Sequence, residues 1–253
     1  MHLLEIRGMS MYFGGVKAVE ALDLMVRNGM VMSIIGPNGA GKTSVFNCLT
    51  GLTRPTKGRI RFSEQDITSL AAHEIANRGI SRTFQNIRLF RETSVLENVM
   101  VAQHAKIRSG LAGAIIRGKS FRDEERGVRE KAFEYLGFVG LTDYAQGMAG
   151  SLPYGAQRRL EIARALATDP LLILLDEPTA GMNPQETGEV MQLISRLKEL
   201  GKTILLIEHD MKVVMEISDW IAVLNHGVKI AEGRPADIRG NALVIEAYLG
   251  KEQ

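Results

Sequence analysis

The first group of residues with chemical potential lies at positions 36–43, which read Gly-Pro-Asn-Gly-Ala-Gly-Lys-Thr. This G-x-x-x-x-G-K-T spacing follows an apolar run at 30–35 and opens onto a helix-like stretch at 44–49. A buried strand, a glycine turn and a helix N-terminus aim several backbone N–H groups at one point, where the helix dipole adds roughly half a positive charge. The arrangement therefore predicts a phosphate-binding loop.

A nucleoside triphosphate is the ligand that this spacing favours. Lys42 can reach the β- and γ-phosphates, and the Thr43 hydroxyl can hold Mg²⁺. The residues expected to contact the nucleotide are Gly36, Pro37, Asn38, Gly39, Ala40, Gly41, Lys42, Thr43 and Ser44.

A second chemical pattern is a pair of carboxylates at the end of an apolar run. Five apolar residues at 171–175, all expected to be buried, precede Asp176 and Glu177. Asp176 is suited to hold Mg²⁺ through the water shell of the metal, and Glu177 to polarise an attacking water. The alternative is two acidic residues in a surface loop. The phosphate-binding loop favours the metal-and-base interpretation.

A histidine, His209, follows the next apolar run at 203–207. A lone histidine is more often an ordinary surface or core residue than a functional one. We expect its strand to lie beside the strand that delivers Asp176 and Glu177, so that its imidazole could reach the γ-phosphate.

Composition narrows the functional classes. The 253 residues are 45% hydrophobic and 24% charged, close to the average of globular proteins, and the net charge is only +2. We find no basic stripe of the kind that nucleic-acid binding needs, and therefore expect no nucleic-acid partner. No apolar run approaches a membrane-spanning length. The single cysteine, Cys48, is expected to be a packed core thiol.

The order of predicted elements indicates an α/β fold. Short apolar segments at 3–35 predict antiparallel strands, and 57–67 predicts one more strand. Residues 95–167 turn to charged, helix-forming sequence. Two buried strands, 171–175 and 203–207, then flank a helix that is capped by Asn183 and ended by Gly201; its predicted apolar face comprises Val190, Leu193, Ile194, Leu197 and Leu200. Strands alternating with helices predict a parallel, doubly wound core.

Together, these motifs resemble those of the ATP-binding cassette (ABC) ATPases. Residues 152–166 are similar to the signature segment of that family, and 179–183 to its D-loop. Gln85 matches the glutamine loop, and Phe13, 29 residues before Lys42, matches an aromatic that stacks on adenine. The resemblance implies ATP as the nucleotide and adds the signature residues Tyr154, Gly155 and Ala156.

The resemblance also implies the division of labour within the chain. The catalytic set would be Lys42, Gln85, Glu177 and His209, and the metal-holding set would be Thr43, Gln85 and Asp176. The implied fold is a P-loop NTPase core with a parallel sheet and an antiparallel β subdomain (1–88 and 168–253), together with a helical signature subdomain (89–167), all within one ABC ATPase domain (1–253). Because Gly155 is expected just before a helix N-terminus, that terminus would face the γ-phosphate bound by a second subunit.

Finer resemblances concern the transporter system. The stretch 83–90, the Leu-Pro-Tyr-Gly at 152–155 and the tail at 247–250 resemble ATPases of branched-chain amino-acid importers. That group implies two transmembrane permeases, a second ABC ATPase that is the same or a paralogous chain, and peripheral attachment to the cytoplasmic face of the inner membrane. Urea importers and lipopolysaccharide exporters share parts of the pattern. A soluble, non-transport ABC ATPase is a further alternative, against which the absence of a second cassette and of long insertions argues.

Three departures from the family pattern affect the signature and the D-loop. Pro153 stands where the family has serine, Ala156 where it has glutamine, and Asn183 where it has aspartate. Pro153 removes a hydroxyl and a backbone donor. We therefore expect fewer contacts from this chain to the ATP of a partner subunit, with binding at its own phosphate loop unaffected.

The segment 104–122 has five basic and no acidic residues around a short apolar centre. Its three glycines make it a poor autonomous helix. Two interpretations remain open: a surface insertion, or a contact to anionic headgroups or permease loops.

Overall fold

The computed structural model describes residues 2–103 and 119–249. Within these ranges the strands are β1 (His2–Phe13), β2 (Val16–Arg27), β3 (Val31–Ile35), β4 (Lys57–Phe62), β5 (Gln65–Asp66), β6 (Ile80–Arg82), β7 (Leu172–Asp176), β8 (Thr203–Ile207), β9 (Trp220–Asn225) and β10 (Val228–Gly233). The α-helices are α1 (Lys42–Leu49), α2 (Ala72–Asn77), α3 (Val95–Gln103), α4 (Lys119–Phe138), α5 (Tyr154–Ala167), α6 (Pro184–Glu199), α7 (Met211–Ile217), α8 (Pro235–Arg239) and α9 (Ala242–Leu249). The basic segment 104–122 lies outside the described residues, apart from the backbone of 119–122 at the start of α4.

The first sheet is antiparallel, with the strand order β2-β1-β4-β5. It confirms the predicted antiparallel strands near the N-terminus. The prediction of a single strand over 57–67 was wrong. The backbone enters the left-handed region at Ser63 (φ +47°) and Glu64 (φ +66°), and this turn divides the segment into β4 and β5.

The second sheet has the strand order β10-β9-β3-β8-β7-β6 and is parallel from β9 to β6. Every residue of β3, β7 and β8 is buried, as expected of parallel strands covered on both faces. Apolar side chains of β3 and β7 enter two separate core clusters, one on each face of the sheet. The parallel, doubly wound core predicted from the sequence is confirmed.

One boundary of the predicted β7 was wrong. Leu171 is 50% exposed and precedes the strand, so four buried apolar residues, not five, lead to Asp176. Leu171 instead lies beside Gly79, which accepts hydrogen bonds from the N–H groups of Leu171 and Leu172. This edge contact fixes the start of the strand.

Helix α6 begins and ends as the sequence predicts. The Asn183 side chain accepts a hydrogen bond from the N–H of Glu186, and the Glu186 carboxylate accepts one from the N–H of Asn183. Gly201 follows the helix with φ +75°. One residue of the predicted apolar face does not belong to it, because Leu200 caps the helix and is 64% exposed.

Helices α3, α4 and α5 contact one another and form the predicted helical region. Their apolar faces share a core cluster with β7 and β8. This packing places α5 beside the carboxyl end of β7. No helix within 2–103 and 119–249 has the length and apolar character needed to cross a membrane.

Cys48 lies on α1 and is 2% exposed, which confirms the expected core thiol. Burial raises the pKa of this thiol to about 11. At pH 8 only about one thiol in a thousand would then be ionised, so we expect native protein to resist iodoacetamide. The measurement is alkylation at pH 8 followed by mass spectrometry, with urea-unfolded protein as the control. Equally fast labelling of native and unfolded protein would contradict the buried placement.

Candidate functional site

The phosphate-binding loop is built against two strands that approach it closely. A Cβ atom added at Gly36 would lie 2.0 Å from the carbonyl oxygen of Leu224, on β9. One added at Gly41 would lie 2.3 Å from the carbonyl oxygen of Ala18, on β2. Both glycines also have positive φ, +148° and +100°. Glycine is therefore required at each position by space and by backbone conformation.

Lys42 begins α1 and folds back over the loop that precedes it. Its ammonium donates hydrogen bonds to the carbonyl oxygens of Gly36 (2.7 Å) and Pro37 (3.0 Å). The side chain is 6% exposed, so the charge is held in place by the loop itself. A cation fixed at the N-terminus of a helix is the electrostatic environment that a phosphate group requires.

A cleft of about 620 Å³ opens beside this loop. It is lined by Val16, Lys17, Ala18, Asn38, Gly39, Ala40, Gly41, Lys42, Thr43, Ser44, Gln85, Glu177, His209 and His226. A volume of this size is typical of sites for small ligands and cofactors. Seven of the nine loop residues predicted from the sequence reach the cleft, whereas Gly36 and Pro37 are buried behind it. The glycine cradle, the fixed lysine and the volume fit a nucleoside triphosphate.

The Glu177 carboxylate lines the cleft, and two of the predicted residues contact it there. The Gln85 amide donates to its Oε2 at 2.8 Å, and Nε2 of His209 contacts its Oε1. The pairing of β7 with β8 explains this meeting, because Asp176 lies opposite Ile207 in the parallel ladder. Two residues that are distant from each other in the sequence, Gln85 and His209, thus contact the same carboxylate.

Asp176 is not among the described residues that line the cleft, and it forms an ion pair that the sequence analysis missed. Its Oδ2 accepts a hydrogen bond from Nη2 of Arg82 at 2.7 Å, and the two side chains are only 4% and 6% exposed. Arg82 also donates to Oδ1 of Asn47 at 2.8 Å and lies over the rings of Phe46 and Phe84. The arginine offsets the charge of a carboxylate that has little access to water.

A second residue that the sequence analysis missed is Glu208, which is 2% exposed. Its Oε1 accepts hydrogen bonds from the N–H and hydroxyl of Thr179, and its Oε2 accepts one from the N–H of His209. This carboxylate therefore connects the loop after Glu177 to the backbone of His209. The sequence gives no signal that the side chain of Glu208 contacts Thr179 and the backbone of the next residue, His209.

Phe13 and the signature residues lie outside the group around Glu177. Phe13 ends β1, is 50% exposed and pairs with Val16, and it is Val16 that lines the cleft. Tyr154 begins α5 and donates its hydroxyl to the carbonyl oxygen of Ala180 at 3.1 Å. The expectation that Gly155 precedes the helix was wrong. Gly155 is the second residue of α5, and Ala156 is buried in the same first turn.

Removing the cation beside Asp176 should destabilise the fold. For Arg82→Met, we expect the free energy of unfolding to fall by about 3–5 kcal/mol, because a buried carboxylate would lose its partner. Urea denaturation followed by circular dichroism measures the change. The matched control is Arg7→Met, since Arg7 pairs with Glu5 but is 66% exposed; its effect should stay below about 1 kcal/mol. Equal stability of the two variants would contradict the role assigned to Arg82.

Comparisons with known proteins agree with this geometry. The sequence model of the family described as "ABC transporter" matches residues 19–180, and that of the "Branched-chain amino acid ATP-binding cassette transporter" family matches 228–253. The chain is 50% identical over 250 residues to the high-affinity branched-chain amino acid transport ATP-binding protein BraF of Pseudomonas aeruginosa, with 98% of each chain covered.

Two solved structures extend the comparison to three dimensions. The ADP conformation of an ATP-binding cassette of an ABC transporter superposes with a TM-score of 0.86 at 35% identity, covering 99% of this chain and 100% of that one. A dimeric ATP-binding cassette in a post-hydrolysis state, bound to ADP and phosphate, gives 0.78 at 28% identity, with 92% and 98% covered. The chain belongs to the ABC transporter family, in which it is a nucleotide-binding, ATP-hydrolysing subunit.

Proposed function

We propose that this ATPase powers the import of branched-chain amino acids by hydrolysing ATP with Mg²⁺ in the cleft beside Lys42. One observation carries the proposed chemistry: Gln85 and His209 both contact the carboxylate of Glu177, in the same cleft as the phosphate-binding loop. The substrate class is supported by the name of the Pseudomonas relative and by the family matched at 228–253.

Each side chain of the site would have a separate task. Lys42 would move its hydrogen bonds from the loop carbonyls to the β- and γ-phosphates. Glu177 would accept the proton of the attacking water, while Gln85 and His209 hold its carboxylate in place. Thr43, Gln85 and Asp176 would hold Mg²⁺, Asp176 through water. When bound, the metal would neutralise charge on the phosphate oxygens.

Asp176 suits an indirect contact with the metal better than a direct one. Its Oδ2 is already engaged by Arg82, and the side chain is almost fully buried at the end of β7. A carboxylate that is charge-paired in this way can still accept a hydrogen bond from a water in the shell of the metal. Because Mg²⁺ retains several waters when it binds to proteins, this arrangement fits its chemistry.

The proposed working unit is larger than one chain. The first turn of α5, with Tyr154, Gly155 and Ala156, would face the ATP held by a second cassette, which is either a copy of this chain or a paralogue. The dimeric cassette among the solved structures supports this arrangement. Two transmembrane permeases would hold the pair peripherally at the cytoplasmic face of the inner membrane and respond as ATP binding and hydrolysis close and open the dimer.

Binding and hydrolysis should be separable by mutation. We expect Lys42→Ala to weaken ATP binding by at least about a hundredfold, because the phosphates lose a fixed cation and two charged hydrogen bonds. His209→Ala should bind ATP nearly normally and hydrolyse it poorly. Isothermal titration and phosphate release measure the two effects. An equal loss of affinity in both variants would place His209 among the binding residues and contradict this division.

Glu177→Gln tests the proposed general base and the transported substrate together. The amide retains the shape of the carboxylate but cannot accept the proton, so turnover should fall by about two to four orders of magnitude with ATP affinity retained. Uptake of labelled leucine should fall with it in cells that carry only this variant. Unchanged turnover would refute the role of Glu177. Lost turnover with unchanged leucine uptake would point instead to another solute, such as urea, or to an exporter.

A further inference from the structure

A buried ion pair on α5 has no place in the mechanism described so far. Arg158 and Glu161 lie one turn apart, with Nη1 of Arg158 2.8 Å from Oε2 of Glu161. Their side chains are 0% and 6% exposed. Burial is the largest influence on Glu161 and raises the pKa of its carboxyl. Burying two charges is costly unless further hydrogen bonds satisfy them, so their remaining partners show what the pair holds.

Those partners are backbone groups of the loop that carries Gln85. Oε1 of Glu161 accepts the N–H of Phe84 at 3.1 Å, while Nη1 of Arg158 donates to the carbonyl oxygen of Phe84 at 2.6 Å. Nη2 of Arg158 donates to the carbonyl oxygen of Gln85 at 2.8 Å. The pair thus forms hydrogen bonds with the peptide groups on both sides of Phe84 and with the carbonyl oxygen of Gln85. These contacts fix the position and direction of the backbone at Gln85.

The same network of contacts extends to the Glu177 carboxylate, which lines the cleft. From this held backbone, the Gln85 side chain reaches Oε2 of Glu177 at 2.8 Å. Nη2 of Arg158 also lies 3.4 Å from the carbonyl oxygen of Glu177. Neither Arg158 nor Glu161 is among the described residues that line the cleft, so both would act through other groups.

We propose that Arg158 and Glu161 are positioning residues, which hold the Gln85 loop so that its amide orients the Glu177 carboxylate. The inference rests on the proposed roles of Gln85 and Glu177 in hydrolysis. The first turn of α5 also carries the signature residues, so the pair connects that helix to the hydrolytic carboxylate through one loop. A displacement of α5 would be transmitted to Gln85 through hydrogen bonds to its backbone.

The double variant Arg158→Met with Glu161→Leu tests this connection. Replacing both charges by apolar groups of similar size is often neutral for stability, whereas removal of one charge alone would leave the other buried and unpaired. We expect cooperative unfolding with a lower midpoint, because the backbone groups of Phe84 and Gln85 lose hydrogen-bond partners. ATP affinity should stay within about twofold of the parent, and kcat should be about tenfold lower. A loss in kcat with unchanged nucleotide affinity is not expected of a pair that only fills space.

The same double variant is then made in a Gln85→Ala background, using the full chain throughout. If the pair acts through Gln85, its removal should lower kcat by less than about twofold once the glutamine side chain is gone. The matched control is Arg159→Met with Glu189→Leu, a pair that joins α5 to α6 at 2.6 Å and is partly exposed. This control should leave kcat unchanged in both backgrounds.

The results distinguish failure of the positioning role of Arg158 and Glu161 from failure of the proposed function. An unchanged kcat in the Arg158 and Glu161 double variant, or an equal loss with and without Gln85, would overturn the positioning role while leaving the proposed function intact. If Gln85→Ala alone left kcat unchanged, the role of Gln85 in hydrolysis would fail, and the positioning role would fail with it.

Discussion

The candidate site depends on the parallel pairing of β7 with β8. This pairing sets Asp176 opposite Ile207, and the N–H of Glu177 continues it by donating to the carbonyl oxygen of Ile207 at 2.9 Å. Glu177 is thereby held just beyond the strand with φ +50°, a conformation that is uncommon for residues other than glycine. Such strain persists only where neighbouring structure imposes it. A shift of one residue in this register would separate Glu177 from His209.

Two neighbouring carboxylates at the end of β7, those of Asp176 and Glu177, have different partners. Glu177 faces the cleft and is met by an amide and an imidazole, which leaves it able to react. Asp176 is almost fully buried and is paired with Arg82, which offsets the charge of its carboxylate. Adjacent residues thus have different electrostatic environments because Asp176 is the last residue of β7, whereas Glu177 leaves the strand with φ +50°.

The sequence predicted the parts of the structure that follow from local rules. The phosphate-binding loop, the cap of α6 at Asn183 and the buried strands β7 and β8 all follow from short patterns. It did not predict the exposure of Leu171 and Leu200. Both residues extend the apolar pattern of a strand or helix, but they lie at its end, where the chain is no longer covered by the core. It also missed the partners of Arg82. Asn47 and Asp176 are separated from Arg82 by 35 and 94 residues in the sequence, and only the packed fold brings them together.

The folded-back conformation of Lys42 has a consequence for how tightly the loop can grip an anion. A free lysine side chain loses rotamer freedom worth about 2 kcal/mol when it is fixed. Here the ammonium is already immobilised against the carbonyl oxygens of Gly36 and Pro37, so that entropy is lost during folding and not when the ligand arrives. An incoming phosphate has only to exchange acceptors around a stationary cation, which makes the loop a preorganised receptor with little of the ordering penalty that a flexible one would face.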